Sequence, residues 1–95
     1  MNRRRIERRL LATSDKLAAA RTELMVANEQ LAVFSDDADD ARIRSLVSET
    51  PGAGTEFRDA QRHYRAMVNH RDDVAKRIDR LEDELNQLLD RYSHG

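Results

Sequence analysis

Apolar residues recur at alternating steps of three and four along both halves of the chain, with one break between them. The first stripe reads Ile6, Leu10, Thr13, Leu17, Ala20, Leu24, Ala27, Leu31, Phe34, Ala38 and Ala41. The second reads Phe57, Ala60, Tyr64, Met67, Arg71, Val74, Ile78, Leu81, Leu85, Leu88 and Tyr92. A repeat of 3.5 residues sustained for about five heptads is the spacing of a coiled coil. The break is Thr50-Pro51-Gly52-Ala53-Gly54-Thr55 and holds the only proline. The pattern predicts an all-α fold: one antiparallel two-helix coiled-coil hairpin over residues 1–95. Helix 1 is expected over about 3–48, the turn over about 48–55, and helix 2 from 51 or 55 to about 92. Two start signals compete for helix 2. Thr50 can cap it with Pro51 in the first helical position, or Thr55 can cap it after the glycines.

Within helix 1 the pattern wavers at Ser35-Asp36-Asp37-Ala38-Asp39-Asp40. Aspartate is a mediocre helix former, and Ser35 followed by aspartates is a start signal for a new helix. A kink at 35–40 is therefore allowed. Facing residues of an antiparallel pair have numbers that add to a constant, and two constants fit. A sum of 98 sets Leu17 on Leu81, Leu24 on Val74, Lys16 beside Glu84 and Glu23 beside Arg77, with the turn centred on Glu49. A sum of 105 matches small with large residues better, as in Ala20 on Leu85, but sets Glu23 beside Glu84. Helix length and the Thr50-Pro51 signal favour 98. Arg71 is the one charged residue in the stripes, and a lone polar side chain in a seam is a device for fixing register.

The stripes leave apolar residues over. With Leu10 taken as position a and Thr13 as d, Leu11, Ala18, Met25 and Ala32 fall at b, and Ala19, Val26 and Val33 at c. These point away from the seam. Helix 2 carries Arg58, Asp59, Arg62, Arg65, Asp72, Asp73, Lys76, Asp79, Arg80 and Asp83 on its outer positions. An apolar stripe along one outer face calls for cover. The expectation is a homodimer, two hairpins packed through helix 1 as a four-helix bundle. Leu11, Ala18, Met25, Val26, Ala32 and Val33 form the dimer or partner face. A second patch, Ile43, Leu46 and Val47, points outward near the tip if the helix is continuous and turns inward if it kinks.

Composition supports this picture and narrows the function. Charged residues make up 37% and aromatics 4% of 95 residues. That is polar for a globule and periodic for a disordered chain. Arginine outnumbers lysine fifteen to two. There is no cysteine, hence no disulfide, thiolate nucleophile or cysteine-based zinc site. The apolar run Leu10-Leu11-Ala12 is too short for a leader or a membrane span. The expectation is a cytoplasmic protein without a membrane partner.

Net charge is −1, but it is unevenly spread. Arg3, Arg4, Arg5, Arg8 and Arg9 make a basic arm that could contact nucleic-acid phosphates, without interleaved aromatics for base stacking. Asp36, Asp37, Asp39 and Asp40 make an acidic knot, a docking candidate for a basic partner. It lacks the central glycine and distal glutamate of an EF-hand loop. His63 and His70 are two turns apart, wider than a helical metal pair. No Ser-His-Asp set, phosphate loop or nucleotide motif is present.

An acidic segment carried on a helical hairpin resembles, in architecture, the Gre-type transcription factors. That resemblance implies RNA polymerase as a partner, addressed through residues 36–40. The knot lies about ten residues before the turn rather than at it, and no sequence motif is shared. The expected function is non-catalytic and without cofactor or metal. It is a protein–protein interaction module, a small scaffold or regulatory adaptor for an unidentified protein partner. The alternatives are a nucleic-acid-associated protein using the arginine arm and a coiled-coil regulator of RNA polymerase.

Overall fold

The computed structural model describes residues 2–48 and 50–94. Two helices make up the fold, α1 over Arg3–Val47 and α2 over Ala53–His94, and no strand occurs among the described residues. Neither helix is long and apolar enough to cross a membrane. Glu49, on which the 98 register centres the turn, lies outside the described residues.

The start of α1 is set by Asn2, whose Oδ1 accepts the Arg4 N–H at 2.9 Å while its carbonyl accepts those of Arg5 and Ile6. A side-chain cap of this kind satisfies a donor that the first turn would otherwise leave bare. The arginines at 3–5 are thus the first turn of a helix rather than a loose arm. From there α1 contains no glycine or proline and runs without interruption through residues 35–40. Ser35 starts no second helix. The modest propensity penalty of the aspartates, about 0.5 kcal/mol each, is smaller than the cost of freeing the apolar positions around them. Of these, Ala41 is buried and Phe34 and Ala38 are half-buried.

The start of α2 differs from both sequence expectations. The Ala53 N–H bonds the Thr50 carbonyl at 3.1 Å, closing a β-turn with Pro51 second and Gly52 third. The Glu56 N–H then bonds the Gly52 carbonyl at 3.0 Å, which makes Gly52 the N-cap. The Thr50 hydroxyl is engaged by Ser48 Oγ at 2.7 Å. Thr55 lies inside the first turn, where its Oγ1 accepts from Arg58 Nη2 at 3.3 Å. No described glycine has a positive φ. The proline, with its fixed φ, directs the turn, and the glycines are not needed for left-handed backbone.

The chain packs as two compact units, each an antiparallel pair of helix segments. Unit 1 comprises Met1–Leu24 and Asp73–Gly95, and unit 2 comprises Met25–Asp72. In unit 1 the core is Leu17, Ala20, Val74 and Ile78, packed by Leu24, Leu81 and Leu85. Ile6, Thr13 and Leu88 are also buried there. Arg77 Nη1 lies 2.7 Å from Glu23 Oε2. That pairing belongs to the 98 register, since the 105 register would bring Glu23 to Glu84. Lys16 does not take Glu84 as expected; Arg9 does, at 3.4 Å.

In unit 2 the buried residues are Ala27, Ala41 and Ala53. Around them Leu31, Phe34, Phe57, Ala60, Tyr64 and Met67 are half-buried. Arg44 lies 3.8 Å from Glu56 across this pair, and Phe34 meets the His63 ring edge-to-face at 6.3 Å.

Candidate interaction surface

The geometry of a continuous helix carries positions b and c to the side opposite a and d. On α1 these positions are open to solvent. In unit 1, Leu11 is 69% exposed, and Ala18 and Ala19 are exposed beside it. In unit 2, Met25, Val26 and Val33 are 57%, 41% and 58% exposed, with Ala32 exposed among them. Ile43, Leu46 and Val47 are exposed as well, the orientation that an uninterrupted helix imposes on the tip patch. Among the described residues, eight large apolar side chains stand exposed, seven on α1 and one, Leu89, on α2. A soluble surface normally scatters such residues. Here they follow the heptad spacing of one helix.

The arginines at the start of α1 divide into two groups. Arg3 places its guanidinium 4.3 Å from the centre of the Tyr92 ring, and Arg9 pairs with Glu84. The Tyr92 hydroxyl donates to Glu7 Oε1 at 2.9 Å. These contacts tie the first turns of α1 to the C-terminal part of α2, from Glu84 to Tyr92, within unit 1. Arg4, Arg5 and Arg8 are exposed at positions b, c and f and make no ion pair among the described residues. Three like charges in the first turns of a helix also oppose its dipole. Among the described acidic residues near the end of α2, Glu84 is the one that pairs with an arginine of this group. Glu82 pairs with Arg21 at 3.3 Å, and Asp83 and Asp90 are exposed.

Asp36, Asp37, Asp39 and Asp40 are exposed on α1 of unit 2. They form no ion pair among the described residues. Among those residues no group of three His, Asp or Glu side chains is placed to hold a metal ion. His63 is exposed and rests on Phe34. Arg71 is half-buried and turns its Nε out to Asp72 on its own helix, at 2.8 Å. Its stem lies in the seam while its head is solvated, as long cationic side chains allow.

Shallow grooves occur among the described residues of unit 2. A groove of about 340 Å³ is bounded by Phe34, His63, Ala66 and Met67. Another of about 270 Å³ runs between Asp39 and Arg42 on α1 and Phe57, Gln61 and Tyr64 on α2. Both open to solvent along the helix pair.

Sequence reasoning placed the outer face of α1 but missed the Asn2 cap, the Arg3–Tyr92 stack and the Phe34–His63 contact. An asparagine directly before a helical run was the available signal for the first. The ring contacts depend on register and had no local signal. No known protein family, curated protein or solved structure matches this chain.

Proposed function

We propose that this protein is a non-catalytic interaction module, a small scaffold or regulatory adaptor. Its working surface is the outer face of α1, and its first occupant is a second copy of the chain. One observation carries the reading: among the described residues, seven of the eight exposed large apolar side chains lie on α1. Covering such a stripe is worth about 25 cal/mol per Å² of apolar surface removed from water, before the costs of association. A four-helix bundle built from two helix pairs covers it with the helix–helix packing already used in each unit. The charged outer positions of α2 suit it to remain in water.

Light scattering on the full chain at tens of micromolar tests the reading. The expected result is a dimer that dissociates when Val26 and Val33 are both changed to Asp, with helix content retained. A monodisperse monomer would remove the self-association. A dimer indifferent to those changes would move it to another face.

The exposure of Arg4, Arg5 and Arg8 supports a second reading, contact with nucleic-acid phosphates. Such binding would weaken steeply with salt. It would be lost when these three become alanine, and binding that survives that change would remove it.

A further inference from the structure

The outer face of α1 is different in each unit, and the two versions complement one another. In unit 1 the b, c and f positions open with Arg4, Arg5 and Arg8, then turn small, with Leu11 among Ala12, Ala18 and Ala19. In unit 2 they open with the larger Met25, Val26 and Val33, continue with Asp36, Asp39 and Asp40, and end on Ile43, Leu46 and Val47, which lie beyond the paired stretch. All of these residues are exposed, and neither charged trio has an ion-pair partner among the described residues.

We propose that two copies dimerise with their α1 helices antiparallel, the unit 1 face of one copy seated on the unit 2 face of the other. The inference rests on the interaction reading above and adds orientation and register to it. Charge decides the orientation. An antiparallel partner brings Arg4, Arg5 and Arg8 to Asp40, Asp39 and Asp36, whereas a parallel one stacks arginine on arginine and aspartate on aspartate.

Size supports the same register. Residues whose numbers add to 44 face one another, so Leu11 meets Val33, Ala18 meets Val26 and Ala19 meets Met25. Small side chains opposite large ones let two helices approach and interdigitate. Thr22 falls on the two-fold axis, where its hydroxyl is already bonded to the Ala18 carbonyl of its own helix at 3.2 Å. It needs no partner in the interface. The register carries one opposing contact, Asp15 near Glu29 of the second copy, which occurs twice by symmetry. Six arginine–aspartate contacts outweigh it. Neutralising Glu29 should therefore tighten the dimer.

The experiment is sedimentation equilibrium of four full-length chains, each first checked for helix content. One is wild type and one carries Arg4, Arg5 and Arg8 all changed to Asp. One carries Asp36, Asp39 and Asp40 all changed to Arg, and the last carries both sets. Each single-ended reversal turns attraction into repulsion at both ends of an antiparallel dimer. It should weaken association by about ten-fold or more. The chain with both sets restores every pairing and should associate within a few-fold of wild type.

A dimer that ignores the single-ended reversals would overturn the proposed register while leaving the interaction reading standing. So would a doubly reversed chain no tighter than the singly reversed ones, because a parallel dimer gains nothing from the double exchange. A wild-type monomer would overturn both. Glu29→Gln gives an independent check, since it leaves both charged trios intact. Association about two-fold tighter supports the register, and weaker association opposes it.

Discussion

Unit 1 and unit 2 are built from the same two helices, yet they bury different residues. Unit 1 encloses Ile6, Leu17, Val74, Ile78 and Leu88 and, among its described large apolar side chains, leaves Leu11 and Leu89 exposed. Unit 2 encloses Ala27, Ala41 and Ala53 and exposes Met25, Val26, Val33, Ile43, Leu46 and Val47. A helix pair gains stability from the apolar area it removes from water, and an alanine offers little of it. Unit 1 therefore has the better-filled seam, whereas in unit 2 the larger seam residues Leu31, Phe34, Phe57, Tyr64 and Met67 are only half-buried and other large apolar residues face outward. Those outward residues make unit 2 rich as a docking surface.

The sharpest way to break this comparison is to remove one side chain from the better-filled unit. Leu88 is 1% exposed, and Leu88→Ala should cost about 2–5 kcal/mol of unfolding free energy, the range for a buried leucine. Val33→Ala in unit 2, at a site 58% exposed, should alter the stability of the dilute chain by less than about 0.5 kcal/mol. It should still weaken association. Urea denaturation of the two variants at low concentration, followed by light scattering, measures both quantities. Equal losses of stability would mean that the two units share one core in energetic terms.

Much of this contrast was legible in the sequence, for reasons that can be named. Heptad geometry alone assigns Leu11, Met25, Val26 and Val33 to an outer face, because positions b and c lie opposite a and d whatever the partner. The alanines at 27, 38 and 41 were visible as thin layers of the seam. Register was not decided by pattern, since the apolar layers fit two sums. The partner of Glu23 chooses between them in unit 1, and that is a tertiary fact. The fate of Ile43, Leu46 and Val47 hung on whether α1 continues through Asp36–Asp40. Local propensity pointed to a break there, and burial on the opposite side of the helix overrode it. The division into two units had no sequence signature, because both stripes cross the boundary in phase.

The helix starts give the next contrast. The first turn of α1 in unit 1 depends on a side-chain cap and carries unfavourable positive charge, so Asn2→Ala should cost about 1 kcal/mol. The start of α2 in unit 2 relies on the Gly52 carbonyl, with no side chain to lose. Glycine is nevertheless a better N-cap than alanine, so Gly52→Ala should cost about 0.5–1 kcal/mol, no more than the loss at Asn2. Thermal melts followed by circular dichroism test the pair. A larger effect at Gly52 than at Asn2 would show that the turn has a conformational need for glycine.

The last expected effect runs the other way and strengthens unit 2. Gly54 lies in the first turn of α2 with an ordinary negative-φ backbone. A Cβ added there would meet only Arg58 Nη1, at 3.7 Å, a normal contact with the end of a flexible side chain. The native fold therefore has nothing to lose from a methyl group. The unfolded chain loses freedom when glycine becomes alanine, and alanine is the better helix former. Gly54→Ala should raise stability by about 0.5–1 kcal/mol. The site is far along the sequence from the proposed Arg–Asp contacts, so dimer affinity should change less than two-fold. If stability in unit 2 limits association, the same substitution would tighten the dimer as well, and sedimentation of this variant beside wild type separates a better-folded unit from a better-docked one.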